Sequence, residues 1–223
     1  MSKDITILKR DGSREELDLE KMHKVVFYAC NDVTGVSASQ VELKSHLQFY
    51  NGIESANIQE TLIKAAADLI SEETPNYQWV AGRLINYHLR KIVYQSFEPP
   101  HLKDIARKNV DLGYYDASFF SVYSTEEIDQ LNNYIKHDRD ENITYVGMEQ
   151  FRGKYLVQNR VTGEIFETPQ VAYMMISATL FATYPKETRM KYVKEYYDAI
   201  SNFDISLPTP IMAGLRTPQR QFS

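Results

Sequence analysis

The spacing of apolar residues divides roughly the first hundred residues into a β-hairpin and several helices. Residues 5–8 (ITIL) and 14–19 (REELDL) flank an Asp11-Gly12 pair. Such a pair between two strand-like runs favours a hairpin turn. Apolar residues then recur every three to four positions, as they do on the buried face of a helix. The predicted helical stripes are Met22, Val25, Val26 and Ala29; Ile58, Leu62, Ala65 and Leu69; and Ala81, Ile85, Leu89 and Ile92.

Capping signals and prolines place a further helix and a domain boundary. Ser37 and Gln40 have the spacing of a capping box ahead of VELKSHLQFY, so this stretch is predicted to be helical. The run FEPP at residues 97–100 ends the last of these helices, because proline removes a backbone donor and restricts the residue before it. We therefore predict one domain at residues 1–98 and a second at residues 99–223.

The second part is predicted to be mostly helical, with a hairpin and a final strand. Ser124 and Glu127 form another capping-box pattern. Residues 154–167 (KYLVQNRVTGEIFE) are predicted to form a hairpin that turns near Thr162-Gly163, and Pro169 suits the first turn of a helix. The apolar run DISLPTPIM near the end is predicted to be a strand. The stripes of the two long helices are Val171, Met174, Met175, Ala178 and Phe181, and Met190, Val193, Tyr197 and Ile200.

Composition and charge narrow the protein class. The chain has 223 residues, of which 43% are hydrophobic and 25% charged, the balance of a globular protein. It has no run of about 18 apolar residues, and its N-terminus is charged where a signal peptide would be apolar. The formal net charge of −5 argues against a DNA or RNA partner. With one cysteine, Cys30, we expect a cytoplasmic chain that has no disulfide and no membrane partner.

Motifs that would mark a reaction centre are missing. The sequence contains no GxxxxGK[ST], no GxGxxG and no CxxC, and its five histidines are dispersed. Cys30 borders the apolar face of the first predicted helix, which indicates a small buried hydrophobic residue rather than a nucleophile. We therefore predict no catalytic residue and no metal ligand in this chain.

A set of cations near a helix start forms a candidate phosphate site. Two basic residues end the first strand, one begins the first helix, and two lie three positions apart on the fourth helix. The third helix begins near a serine, and helix N-termini attract anions. Together these groups could hold a triphosphate, although surface cations of this kind are often only solvated. The residues are Lys9, Arg10, Lys21, Ser55, His88 and Lys91.

Several longer stretches carry a family resemblance. They are KRDGSREELDLEKMHKV, QVELKSHLQFYNGI, ETLIKAAADLI, LRKIVYQSFEPP, KYLVQNRVTGEIFETPQ and ISLPTPIMAGLRTPQRQFS. In this order they resemble the N-terminal part of the large (α) subunit of class I ribonucleotide reductase, of bacterial or phage type. The resemblance covers almost the whole chain, so it is far more specific than any single motif.

The resemblance implies a mostly α (α+β) fold in two parts. Residues 1–98 would be an ATP-cone, a β-hairpin plus four-helix domain that senses ATP as activator and dATP as inhibitor, with Mg2+ accompanying the nucleotide. Residues 99–223 would be the helical region that leads into the first strand, SLPTPIM, of the ten-stranded α/β barrel. The nucleotide contacts implied are Lys9, Arg10, Glu15, Glu16, Leu17, Asp18, Leu19, Glu20, Lys21, Ser55, His88 and Lys91.

Within this set the resemblance implies separate roles and two departures. Lys9, Lys21 and Lys91 would contact phosphates, and the backbone around Leu17 and Asp18 would hold the base or sugar. Ser55 stands where the family usually has threonine, and keeps the hydroxyl. Gln59 stands where the family commonly has histidine and cannot become cationic. We therefore hypothesise that dATP binds but inhibits poorly.

The resemblance also implies what the chain contributes to an enzyme. Thr209 matches a position that contacts the nucleoside diphosphate substrate, whereas the redox-active and radical cysteines lie beyond Ser223 in the family. The chain alone would then be inactive as a ribonucleoside-diphosphate reductase. Its expected partners are a complementary C-terminal large-subunit polypeptide, in a divided subunit, and a small β subunit that carries a diiron-tyrosyl radical.

Two other function classes remain open from the residues. A free-standing ATP/dATP-sensing regulatory module is the first, but ATP-cones in a zinc-ribbon repressor need four clustered cysteines, and this chain has one. A helical interaction module without a ligand is the second, and titration with ATP would separate it from the others.

Overall fold

The computed structural model describes residues 5–9 and 12–219. The chain forms two compact units, one comprising Met1–His88 with Glu141–Met148 and the other Leu89–Asp140 with Glu149–Ser223. No helix in the described ranges is both long and apolar enough to cross a membrane.

A small sheet opens the first unit. Strands β1 (Thr6–Leu8) and β2 (Arg14–Glu16) pair antiparallel, which confirms the predicted hairpin. Gly12 has φ +81° in the turn, a conformation that glycine adopts without steric cost. A third strand, β3 (Ile53–Glu54), pairs parallel with β1 and was not predicted. β2 ends before residue 19 because Asp18 already caps the following helix.

Helices α1 (Leu19–Cys30), α2 (Ala38–His46) and α3 (Ser55–Ala67) follow, and α4 (Tyr77–Tyr94) begins in this unit. Their predicted stripes form its core: Met22, Val26, Ala29, Ile58, Leu62, Ala65, Ala81 and Ile85 are all buried. Val25 and Leu69 are only half-buried and Ile92 is exposed, so the apolar period of 3.6 residues identified the centre of each buried face but not its edges.

The capping box predicted at the start of α2 does not form. The Ser37 side chain makes no cap hydrogen bond, and its N–H donates instead to the Tyr77 hydroxyl at 3.0 Å. The same hydroxyl donates to Gln40 Oε1 at 2.6 Å. In a capping box the Gln40 side chain would bind the Ser37 N–H. Here the Tyr77 hydroxyl, distant in sequence, binds both groups and takes the place of the local cap.

The second unit is helical. The elements after α4 are α5 (Leu102–Asp111), α6 (Phe119–Val122), α7 (Thr125–Tyr134), a 3-10 helix (His137–Asn142), α8 (Tyr145–Gln150), a π-helical turn (Phe151–Tyr155), α9 (Pro169–Leu180), α10 (Lys186–Ser201) and α11 (Thr209–Gly214). Of these, the last two residues of the 3-10 helix and residues 145–148 of α8 belong to the first unit, and the others to the second. The capping box of Ser124 and Glu127 is present at the start of α7, as predicted.

Two predictions in the second part need correction. The hairpin at residues 154–167 is reduced to one antiparallel bridge, Gln158 with Ile165, because residues 151–155 are helical. The final segment forms no strand within the described residues, and Thr209–Gly214 is the helix α11 instead. A first barrel strand needs a neighbouring strand to pair with its backbone groups, whereas Pro210 near the start of α11 suits a first helical turn.

Candidate nucleotide-binding site

The parallel pairing of β1 with β3 brings two predicted site residues together. In its register Ile7 lies opposite Ile53 and Leu8 opposite Glu54. Lys9 and Ser55 are the next residues along each strand, so they leave the same end of the sheet side by side. Ser55 is also the first residue of α3, whose first backbone N–H groups have no partner within the helix. A cation and a helix N-terminus thus lie next to one another.

Lys9 is fixed by the hairpin turn and by an ion pair. Its N–H donates to the Ser13 carbonyl at 2.9 Å, and its own carbonyl accepts from Gly12. Its ammonium lies 2.7 Å from the carboxylate of Glu15 on β2, and both side chains are about two-fifths exposed. An exposed pair of this kind contributes little to stability, so a phosphate group can compete for the lysine. The neighbouring Glu16 is exposed.

The start of α1 supplies a second cation–carboxylate pair. Asp18 caps the helix by accepting from the Lys21 N–H at 3.0 Å, and its other oxygen lies 3.2 Å from Lys21 Nζ. The hydrogen bond from the Lys21 backbone, with the charge of its side chain, lowers the pKa of Asp18. Leu17 is half-buried and its N–H donates to the Ile5 carbonyl at 2.8 Å, which ties this segment to β1. The predicted neighbours Leu19 and Glu20 are exposed.

The third part of the predicted site lies on α3 and α4. Gln59 is four residues after Ser55, on the same face of α3, and is half-buried. The ring of His88 on α4 lies 3.5 Å from the carboxylate of Glu60.

The last two predicted cations are Lys91 and Arg10. Lys91, one turn beyond His88 on α4, belongs to the second unit, where its ammonium lies 5.2 Å from the centroid of the Phe97 ring. Arg10 lies outside the described residues.

The remaining predictions concern the cysteine, metal binding and the substrate contact. Cys30 is half-buried, and burial raises the pKa of its thiol to about 11, which agrees with an inert side chain. No group of three or more His, Cys, Asp or Glu side chains within residues 5–9 and 12–219 could hold a metal ion. Thr209 is exposed at the first position of α11 in the second unit.

Known proteins match both parts of the chain. Residues 5–92 match the family model of the ATP cone domain, and residues 141–220 match that of the ribonucleotide reductase all-alpha domain. The chain is 53% identical over 223 residues to ribonucleoside-diphosphate reductase 1 subunit alpha of Escherichia coli (strain K12). It is 44% identical over 221 residues to ribonucleoside-diphosphate reductase subunit alpha of Enterobacteria phage T4. The chain is a homologue of the N-terminal part of ribonucleotide reductase α subunits.

The match has defined limits. It covers 100% of this chain and 29% of the Escherichia coli subunit, and 98% of this chain and 29% of the phage subunit. The chain therefore spans just under a third of the length of these relatives. The predicted family and the expected combination of an ATP cone with a helical reductase domain are confirmed.

The structure adds to the ATP cone what spacing could not predict. The proximity of Lys9 and Ser55 depends on the two-residue strand β3, which carries no strand pattern of its own. The ion pairs of Lys9 with Glu15 and Lys21 with Asp18 were not predicted either. The stretch REELDLEK, which runs from β2 into α1, does contain the acidic partners of both lysines. Opposite charges this close together are common on protein surfaces, so their spacing alone does not predict an ion pair.

Proposed function

We propose that the ATP cone domain of this chain binds ATP and dATP at the end of the sheet where Lys9 and Ser55 lie side by side. The observation that carries the proposal is this register, since it places a cation beside the N-terminus of α3 within residues that match an ATP cone. Charged phosphate oxygens accept strong hydrogen bonds from an ammonium and from helix N–H groups. We place the boundary of this domain at residue 98.

The roles of individual residues follow from their positions. Lys9 and Lys21 exchange their carboxylate partners for phosphate oxygens. Ser55, at the start of α3, donates a hydrogen bond from its hydroxyl group. The backbone at Leu17 and Asp18 lies between these cations in sequence and holds the base or sugar. Mg2+ fits the same place, because the carboxylates released by the two lysines are oxygen ligands of the kind that it prefers. Arg10, Glu16, Leu19, Glu20, His88 and Lys91 complete the proposed set.

The larger function is a share in ribonucleotide reduction. The chain supplies the effector domain and one substrate contact, the exposed Thr209, to a ribonucleoside-diphosphate reductase. The remainder of the large subunit supplies the catalytic cysteines, and a small subunit with a diiron-tyrosyl centre supplies the radical. The cytoplasm remains the predicted compartment.

The nucleotide site is tested by Lys9→Ala. Loss of one charge-assisted phosphate contact is expected to weaken ATP binding by about 10- to 150-fold, which corresponds to roughly 1.5 to 3 kcal/mol. Isothermal titration calorimetry at one fixed salt concentration measures the change. Lys64→Ala is the matched control, because Lys64 is an exposed lysine in the last turn of α3, nine residues after Ser55 and outside the proposed set. Equal ATP affinity in both variants would move the site elsewhere.

Gln59 carries the proposal on inhibition. A neutral amide cannot contribute the positive charge of a histidine, so dATP is expected to bind to the assembled reductase but to inhibit it poorly. Gln59→His should restore inhibition, and a dATP titration of activity measures both proteins. Full inhibition of the unmodified enzyme by micromolar dATP would contradict the proposal.

Three alternatives for the context of the chain differ in the results that they predict. A divided large subunit predicts that native mass spectrometry of the chain, purified from its source, detects a second large-subunit polypeptide. A free-standing nucleotide sensor predicts ATP binding without such a partner, and a ligand-free helical module predicts no heat of ATP binding at all.

A further inference from the structure

A fully buried ion pair lies close to the proposed substrate contact. Arg216 is 1% exposed and Glu167 is 0% exposed, which is unusual for charged side chains. Arg216 Nε donates to Glu167 Oε2 at 2.8 Å, and Nη2 also contacts the carboxylate. Arg216 follows α11 by two residues, whereas Glu167 precedes α9 by two.

The remaining polar atoms of the pair are satisfied by the second unit. Arg216 Nη1 donates to the Met212 carbonyl at 2.6 Å, and Nη2 donates to the Tyr155 carbonyl at 2.8 Å. Glu167 accepts from the Tyr115 hydroxyl at 2.5 Å and from the Val157 N–H at 2.6 Å. The network therefore joins α11 to the π-helical turn, to the segment before α9 and to the loop after α5.

The backbone of Arg216 is held as well. Its carbonyl accepts from the Asp116 N–H at 3.0 Å, on the loop that carries Tyr115. Arg216 is thus held by neighbouring segments through both its side chain and its main chain. α11 has only six residues, and an isolated helix of that length is not stable in water. Its position must come from tertiary contacts, and those of Arg216 are the most directional.

We propose that Arg216 and Glu167 are positioning residues that fix α11, and with it Thr209, for contact with the nucleoside diphosphate. The inference rests on the proposed function, because only that proposal makes Thr209 a substrate contact. Arg216 reaches back to the Met212 carbonyl, three residues after Thr209, so the pair sets the position of the short helix.

A buried ion pair fixes the geometry of the segments it joins more than it contributes to the free energy of unfolding. Desolvating both charges costs free energy that their attraction only partly returns, and an apolar pair of the same volume is often as stable. The planar fork of arginine fixes the direction of several hydrogen bonds at once, and lysine cannot reproduce it. Arg216→Lys should therefore keep the charge and lose the positioning.

A second buried pair provides a matched control. Arg189 on α10 donates to Glu127 on α7, with Nη2 to Oε2 at 2.7 Å, and also to the Val122 carbonyl at 2.6 Å. It lies in the same unit, is 8% exposed, and none of these hydrogen bonds reaches α11 or the segments that hold it. Arg189→Lys should lower stability in a comparable way without touching Thr209.

The experiment compares Arg216→Lys, Arg189→Lys and the unmodified chain, each assembled with the remainder of the large subunit and the small subunit. Hydrogen exchange reports the protection of residues 209–217 relative to α9, and steady-state kinetics reports KM and kcat. In Arg216→Lys, exchange at 209–217 and KM for the nucleoside diphosphate are each expected to rise at least about 10-fold, with a smaller change in kcat. Arg189→Lys should raise neither. Tyr115→Phe, which removes one hydrogen bond to Glu167, should shift both in the same direction by a smaller factor and carries the test if Arg216→Lys does not fold.

The outcomes separate the inference from the proposed function. If the unmodified assembly reduces nucleotides and neither Arg216→Lys nor Tyr115→Phe changes KM or local exchange, the positioning role is wrong and the proposed function stands. A rise in exchange without a rise in KM shows a purely structural pair and also overturns the inference. An unmodified assembly that reduces no nucleotide overturns the proposed function, and the substrate role of α11 with it.

Discussion

Replacing Asp140 with asparagine is expected to stabilise the second unit at pH 8 and to leave it nearly unchanged at pH 4. Asp140 is fully buried, and neither of its carboxylate oxygens has a hydrogen-bond partner within standard geometry. Arg90 is paired with it, with Nη2 at 3.8 Å from Oδ2. Burial raises the pKa of Asp140 from 3.8 to about 7, and Arg90 and Gln170 offset only part of that rise. The charge of Asp140 also acts on Tyr94, Tyr173 and Tyr197, and His137 lies three residues earlier in the same 3-10 helix.

The magnitude follows from proton linkage. Between about pH 4 and pH 7 the folded state holds a proton on Asp140 that the unfolded state releases, so the free energy of unfolding falls as pH rises through this window. A rise of about 3 pKa units, at roughly 1.36 kcal/mol per unit, corresponds to roughly 4 kcal/mol. Above pH 7 this contribution no longer changes. The asparagine side chain of the variant carries no charge at any pH, so the variant does not undergo this fall in the free energy of unfolding.

His137 acts in the opposite direction. Burial, with Arg90 nearby, lowers the pKa of His137 from 6.5 to about 4, so the unfolded state holds the extra proton. The free energy of unfolding therefore rises with pH between about 4 and 6.5, by roughly 3 kcal/mol. In the unmodified chain this rise largely cancels the fall from Asp140. The variant should reveal it as a clear increase in stability from pH 4 to pH 6.5.

Urea denaturation followed by circular dichroism, at several pH values from 4 to 8, measures both effects. Asp138→Asn is the matched control, because Asp138 lies two residues earlier in the same 3-10 helix and is exposed. Its stability difference from the unmodified chain should be small at every pH. If Asp140→Asn is several kcal/mol less stable than the unmodified chain at pH 8, Asp140 is an ionised partner that Arg90 requires, and the reasoning from burial is refuted.

Three further predictions concern packing, capping and reactivity. Gly82→Ala places a Cβ well inside contact distance of the Ile143 carbonyl oxygen in the first unit, so thermal denaturation should show a loss of roughly 1 to 3 kcal/mol or more, and an unchanged melting temperature would contradict that contact. Ser124→Ala removes a formed capping box and should cost about 1 kcal/mol in urea denaturation, whereas Ser37→Ala removes no cap bond from its helix and should cost less; equal losses would argue against the capping assignment. Because burial raises the pKa of the Cys30 thiol to about 11, iodoacetamide should react with the folded chain far more slowly at pH 8 than with the urea-unfolded chain, and equal rates would refute the burial effect.

Local patterns predicted those parts of the fold whose interactions are local. The Asp11-Gly12 pair between two strand-like runs gave the hairpin of β1 and β2, and the 3.6-residue period gave the buried faces of α1, α3 and α4. The Ser124 capping box formed because both of its hydrogen bonds lie within four residues. In each case the partners are neighbours along the chain, so the sequence alone contains the whole interaction.

Distant partners overrode other local signals. Ser37 and Gln40 have the spacing of a capping box, yet the Tyr77 hydroxyl, about forty residues away, binds both. The apolar run before residue 214 has the composition of a strand, but a strand needs a paired neighbour, and the described chain forms α11 there. Spacing therefore failed where the deciding contact was tertiary.

The candidate sites divide in the same way. The sequence by itself determined which residue types are available: Lys9, Lys21 and Ser55 near turns and helix starts, and Thr209 ahead of a helix. Only the tertiary structure decided that Lys9 lies beside Ser55, because β1 and β3 are far apart in sequence and β3 has too few residues to show a period of two. It also decided that Arg216 meets Glu167, 49 residues away, in the interior. A charge can be predicted from one residue, but the burial that gives the charge its partner is a property of the folded chain.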